Sequence, residues 1–172
     1  ALLVRVGLGL SRPVDDAAIA ALPDQAEYLQ LGRSLLQTGE LAMTDSRLSA
    51  VVRAFRMPGY PLVVAAGGGE VRGVRVLQAV IDTSTVLAVV LLARRFVSPR
   101  GALVAGAVVA VDPLLAYFST LVLTETLFAA LVTWGMAMLA WGRAPTMSTA
   151  RRGAWCWWGG VLVLATAALV RP

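Results

Sequence analysis

Apolar positions along this chain fall into blocks separated by short basic connectors, with one long polar segment near the start. Residues 1–10 are apolar apart from Arg5, and Ser11-Arg12-Pro13 ends that run. A block this short does not cross a hydrocarbon core of about 30 Å at about 1.5 Å per residue, so it reads as the last turns of an upstream membrane helix. The polar segment, residues 11–73, opens with Asp15-Asp16. After Pro23-Asp24, Tyr28, Leu31 and Leu35 recur at helical spacing as far as Gly39, a residue suited to a C-terminal cap. This predicts an amphipathic helix of about four turns. A second helix is predicted after Asp45-Ser46, with Leu48, Val51, Val52 and Phe55 on one stripe and Arg47, Arg53 and Arg56 elsewhere on its surface. Both helices are expected to lie along a membrane interface. Arg56 to Pro61 is expected to be non-helical, because two prolines flank a glycine.

Four apolar blocks follow, at 74–93, 101–118, 121–141 and 155–170, each read as a membrane span, the first despite Asp82. Arg94, Arg95 and Arg100 occupy one connector and Arg143, Arg151 and Arg152 another, whereas the turn from Ser119 to Glu125 has no arginine. Cytoplasmic loops carry the positive charge, so the arginine connectors are expected inside, and the 11–73 segment and the Glu125 turn outside. Trp141, Trp155, Trp157 and Trp158 then form an aromatic belt at the inner interface. The predicted fold class is all-α, a polytopic transmembrane helix bundle with amphipathic interfacial helices in the first outer loop. Because the chain opens without Met inside one apolar run and stops just after another, it reads as part of a longer polytopic protein.

Composition sharpens this picture. The chain is 58% hydrophobic with a mean hydropathy of +0.75, against about 45–50% apolar residues in soluble domains. The net charge of +5 does not point to nucleic acid, since the arginines sit at the ends of apolar runs instead of sharing a face. With no lysine and no histidine, acid–base work falls to carboxylates, or failing them to Tyr or Cys. The single Cys156 excludes an internal disulfide and a thiolate metal cluster.

Few residues remain to carry chemistry. Asp24 with Glu27 three positions later matches a capping box, and Glu125 after Thr124 matches a carboxylate complementing a helix dipole. Yet alternation puts both on the outer face with Arg56, where an arginine neutralises a phosphate and a carboxylate accepts a proton. Asp82 inside a span is a functional hypothesis by default, with a polar contact between helices alongside Thr83, Ser84 and Thr85 as the plainer reading. Asp112 before Pro113 is expected to end the regular part of the second span near the outer face. Gly67-Gly68-Gly69 has no strand before it and no Lys-Ser/Thr after it, so it reads as a loop and not a phosphate cradle.

Five motifs occur in order. They are Asp24-Gln25-x-x-Tyr28 continuing to Gly39, Arg56-x-Pro58-Gly59-Tyr60-Pro61, Val74-Arg75-x-Leu77-Gln78, Thr124-Glu125-Thr126-Leu127-Phe128 and Leu169-Val170-Arg171-Pro172. Together they resemble the N-terminal part of the GT-C glycosyltransferases, in the group of the protein O-mannosyltransferases and the aminoarabinose transferases of lipid A. The resemblance implies one transmembrane catalytic domain that moves a sugar from a polyprenyl phosphate to an acceptor lipid, glycan or protein on the outer face, with inversion. It implies catalytic roles for Asp24, as general base or acceptor-orienting residue, and for Glu125, with Arg56, Tyr60 and Tyr28 as substrate-binding residues. Gln25 stands where many such enzymes have a second acid. It further implies a multi-pass protein of a bacterial inner or plasma membrane, in contact with membrane lipids and not with nucleic acid. No cofactor is called for, and no metal ligand is assigned, although carboxylates are able to hold Mg²⁺ or Mn²⁺. The rival readings are a transporter or flippase subunit using Asp82 and Asp112, and a structural membrane subunit without chemistry.

Overall fold

The computed structural model describes residues 1–45, 50–53, 56–142 and 150–171. Its elements in chain order are α1 (Leu2–Ser11), α2 (Asp16–Ala20), α3 (Pro23–Thr38), β1 (Ala42–Asp45), β2 (Ala50–Arg53), α4 (Gly59–Ala66), α5 (Val71–Ala93), α6 (Pro99–Val111), α7 (Pro113–Phe118), α8 (Glu125–Gly142) and α9 (Ala150–Ala167). The fold is mostly helical, and α5 and α8 are long and apolar enough to cross a membrane by length and composition.

Local backbone chemistry accounts for several boundaries. Pro23 occupies the first turn of α3, where its missing N–H costs nothing. Gly39 closes the helix in the left-handed region at φ 74°, its N–H bonded to the Leu35 carbonyl at 3.1 Å. The apolar block 101–118 is two helices, not one. Pro113 prevents α6 from continuing, and Asp112 Oδ1 caps α7 by accepting the N–H groups of Leu114 at 2.8 Å and Leu115 at 2.9 Å. Residues 119–124 form an irregular turn, so α8 begins at Glu125 and not at Leu121.

Two further expectations are corrected. The stretch expected as a second amphipathic helix is an antiparallel hairpin, β1 on β2, pairing Ala42 with Arg53 and Thr44 with Val51. Val51 and Val52 are β-branched, and so short an apolar window fits period 2 as well as period 3.6. Arg53 reinforces the pairing with an exposed ion pair to Glu40 at 3.0 Å. Leu48 and Phe55 of the expected stripe lie outside the described residues, as does Arg143. The segment around Pro58-Gly59-Tyr60-Pro61 is also helical from Gly59 onward. Pro61 is its third residue, within the first turn, whose N–H groups have no partner inside the helix, so the proline breaks nothing.

Helices α8 and α9 pack closely through glycines: a Cβ on Gly160 would lie 2.9 Å from the Gly135 carbonyl oxygen. Small residues of this kind let membrane helices approach. α5 packs against α1, α6 and α8. The buried Arg5 side chain forms an ion pair with the equally buried Asp82. It also donates to the carbonyls of Ala110 at 2.8 Å and Val109 at 3.2 Å. One guanidinium thereby ties α1, α5 and the end of α6 together, and the Asp82 carboxylate makes a polar contact between helices. Arg75 acts similarly on the end of α1, donating to the carbonyls of Gly9, Arg12 and Pro13 at 3.0–3.3 Å. α5 and α8 run antiparallel. Gln78 meets Leu123 at one end of the pair, and Trp141 meets Leu91, with Arg95 over the Trp141 ring, at the other.

Candidate active site

The first two turns of α3 present Asp24, Glu27 and Tyr28, which fall on one side of a helix by their spacing. Arg56, just before α4, lies against all three. Its Nη2 donates to Asp24 Oδ1 at 2.5 Å and to Glu27 Oε2 at 2.6 Å, and its Nε donates to the same Glu27 oxygen at 2.8 Å. The guanidinium carbon stands 5.5 Å from the centre of the Tyr28 ring. Asp24 makes no capping bond, since the N-cap position belongs to Leu22 and carries no side-chain cap. Its carboxylate serves Arg56 instead of the helix end.

Tyr60, in the first turn of α4, packs edge-on against Tyr28 with ring centres 4.9 Å apart. It is fully buried, and its hydroxyl finds no hydrogen-bond partner among the described residues. Glu125, first residue of α8, pairs with the half-exposed Arg171 at 3.5 Å, while its second oxygen is buried without a partner among the described residues. Backbone contacts hold these parts in register: the Gly59 N–H donates to the Leu169 carbonyl at 2.8 Å, next to both Tyr60 and Arg171. A methyl group at Gly59 would sit 2.7 Å from that carbonyl oxygen and 2.8 Å from Val170 Cγ2. Gly59→Ala is therefore expected to cost about 1–3 kcal/mol by overpacking. Thermal unfolding in detergent checks this.

All five residues singled out in the sequence, Asp24, Tyr28, Arg56, Tyr60 and Glu125, fall in this one cluster. Both tyrosines are coupled electrostatically to Glu125, and Tyr28 to Asp24 and Arg56 as well. Two members had no site role in the sequence reading. The spacing of Glu27 from Asp24 fits a capping box as well as a shared helix face, and Arg171 stands in the last of the five motifs. Among the described residues, these ion pairs join three carboxylates to two guanidiniums.

Burial lowers the affinity of the Arg56 guanidinium for its proton, but the hydrogen bond with Glu27 and the charges of Asp24 and Glu27 outweigh it and hold the pKa above its ordinary value. Burial pushes the Tyr60 phenol well above the ordinary tyrosine value, with Tyr28 and Glu125 adding to the shift. Tyr28 is raised too: burial dominates, Arg56 opposes it, and Asp24, Glu125 and Glu27 reinforce it. An unfolded tyrosine ionises near pH 10. The folded protein holds these two protons longer, so their contribution to stability is complete below about pH 10 and is lost as pH rises through the raised folded values. A phenolate absorbance titration is expected to show a late phase that Tyr60→Phe and Tyr28→Phe each diminish.

A separate groove of about 740 Å³ opens on the opposite side of α3, lined by Leu29, Gln30, Arg33, Gln37, Met43 and Val51 among others, and no cluster residue lines it. Among the described residues, no group of three or more His, Cys, Asp or Glu side chains is arranged to hold a metal ion.

A family model described as dolichyl-phosphate-mannose-protein mannosyltransferase matches residues 61–171. No curated protein and no solved structure matches the chain.

Proposed function

Because the chain belongs to the dolichyl-phosphate-mannose-protein mannosyltransferase family, whose model covers well over half of it, we propose that the cluster around Asp24 and Glu125 transfers a sugar from a polyprenyl-phosphate donor to an acceptor hydroxyl. Membership makes the protein a glycosyltransferase of the GT-C type and a membrane protein. The observation that carries the reading is the convergence of two helix starts, α3 and α8, on one carboxylate–arginine–tyrosine cluster.

Asp24 is the general base. Its side chain is 52% exposed, against 16% for Glu27 and 32% for Glu125, so it is the carboxylate most open to an incoming hydroxyl. The acceptor oxygen attacks the anomeric carbon as the bond from that carbon to the phosphate oxygen breaks, and the acceptor proton passes to Asp24. The phosphate leaves with the bonding electron pair, through an oxocarbenium-like transition state as in other glycosyl transfers. A single displacement of this kind inverts the sugar carbon. Arg56 holds Asp24 in place with Glu27. Arg171, half-exposed and at a longer distance from its carboxylate, joins Arg56 in balancing charge on the departing phosphate. Tyr28 stands behind the sugar with the fully buried Tyr60 packed against it, and Glu125 completes the acidic side.

The protein is a multi-pass protein of a bacterial inner or plasma membrane with this site on the outer face. Supporting that orientation, the cluster gathers near the Gln78–Leu123 end of the α5–α8 pair, away from Arg95 and Trp141. The lipid-linked donor enters sideways from the bilayer. Membranes containing the full-length protein, given radiolabelled polyprenyl-phosphate sugars or the matching nucleotide sugars, are expected to move label from the lipid donor alone. Label arriving from the nucleotide sugar with the lipid pool removed would overturn the donor assignment.

A further inference from the structure

Two buried glutamines hold consecutive residues of the irregular stretch that leads into Glu125. Gln25 Oε1, on α3, accepts the Val122 N–H at 2.8 Å across 97 residues of chain. Gln78 Nε2, on α5, donates to the Leu123 carbonyl at 3.2 Å. Both side chains are buried, and Val122 is fully so. Backbone chemistry fixes the orientation of both amides, since an N–H only donates and a carbonyl oxygen only accepts. The backbone ladder of α8 starts just beyond this stretch, with the Phe128 N–H bonded to the Thr124 carbonyl. Residues 119–124 are not helical, so side chains from outside supply what a helix would supply from within.

Gln25 directly follows Asp24, and Val122 lies three residues ahead of Glu125. We propose that Gln25 and Gln78 are positioning residues for glycosyl transfer, an amide clamp that sets the Asp24 and Glu125 carboxylates at their working separation; this rests on the transferase reading above. Gln78 keeps its bond to Leu123 while its Oε1 stays buried without a partner among the described residues, a penalty that packing alone does not explain. The clamp has a chemical asymmetry. Gln25 acts as an acceptor, so a glutamate preserves its bond and a methionine removes it. Gln78 acts as a donor, so a methionine removes its bond, whereas a glutamate buried there is protonated and its O–H still donates.

The test uses the full-length protein in membranes with a labelled polyprenyl-phosphate sugar. Gln25→Met and Gln78→Met are expected to lower kcat by about 100-fold, the scale of a small misplacement of reacting groups, with the KM for the donor little changed. Gln25→Glu, neutral in its buried site and still an acceptor, is expected to stay close to wild type. Amide hydrogen exchange in the 119–124 peptide is expected to quicken in Gln25→Met and not in Gln25→Glu. A wild-type kcat in Gln25→Met, or a loss that Gln25→Glu does not restore, overturns the proposal. Faster exchange in Gln25→Met together with no transfer even by the wild type sinks the transferase reading and this role with it, while leaving the clamp as a contact of the fold.

Discussion

Replacing Asp24 by asparagine is expected to lower sugar transfer by about 10²- to 10⁴-fold, the range that general-base assistance contributes. The substitution keeps size and shape, and its amide oxygen still accepts from Arg56 Nη2, so the contact between α3 and the start of α4 survives. Glu27 retains both of its bonds to Arg56 in any case. What disappears is the capacity to take the acceptor's proton. Protein level in the membrane should hold, and donor binding should change little, because Arg171 and the tyrosines are untouched. Label transferred per unit of membrane protein is the measurement, and a wild-type rate in Asp24→Asn would remove Asp24 from the chemistry.

The second large effect falls on the fold. Arg5→Leu leaves Asp82 buried without its counter-charge, and breaking a buried pair from one side costs about 3–5 kcal/mol. The same change strips the Ala110 and Val109 carbonyls of their donor near the α6–α7 break. The double variant Arg5→Leu with Asp82→Leu is expected to recover most of that loss, since no unpaired charge remains. Unfolding temperatures in detergent check both. A transport role for Asp82 predicts something else, an accessible carboxylate whose loss spares the fold, so an unchanged unfolding temperature in Arg5→Leu would speak against the strut.

The parts of the architecture legible in the sequence were those decided by local rules. Gly39 and Pro113 mark boundaries through backbone chemistry that any neighbourhood must respect, and long apolar blocks announce helices by length. The hairpin was not legible, because four-residue strands around Val51 and Val52 are too short to separate the two periods. Helix α4 was misread because a proline weighs against a helix until its position in the first turn is known. Within the site, the expected alternation of sides assigned Asp24 and Glu125 to one face. It did not reveal that Arg56 is gripped by two carboxylates, since the i, i+3 spacing of Asp24 and Glu27 already had an explanation in capping. Arg5 illustrates the general limit. Its partner lies 77 residues away, and no local pattern shows that an arginine inside a short apolar block is buried against Asp82.

The central claim is that the donor is handled where α3 and α8 converge. A polyprenyl-phosphate sugar carrying a photoreactive group on the sugar, activated in membranes holding the full-length protein, tests it by locating the adduct. Attachment to peptides containing Asp24 and Tyr28, or to the 119–125 stretch, is the predicted result. Label confined to α5 around Asp82, or to the groove beside Arg33 and Gln37, would contradict it.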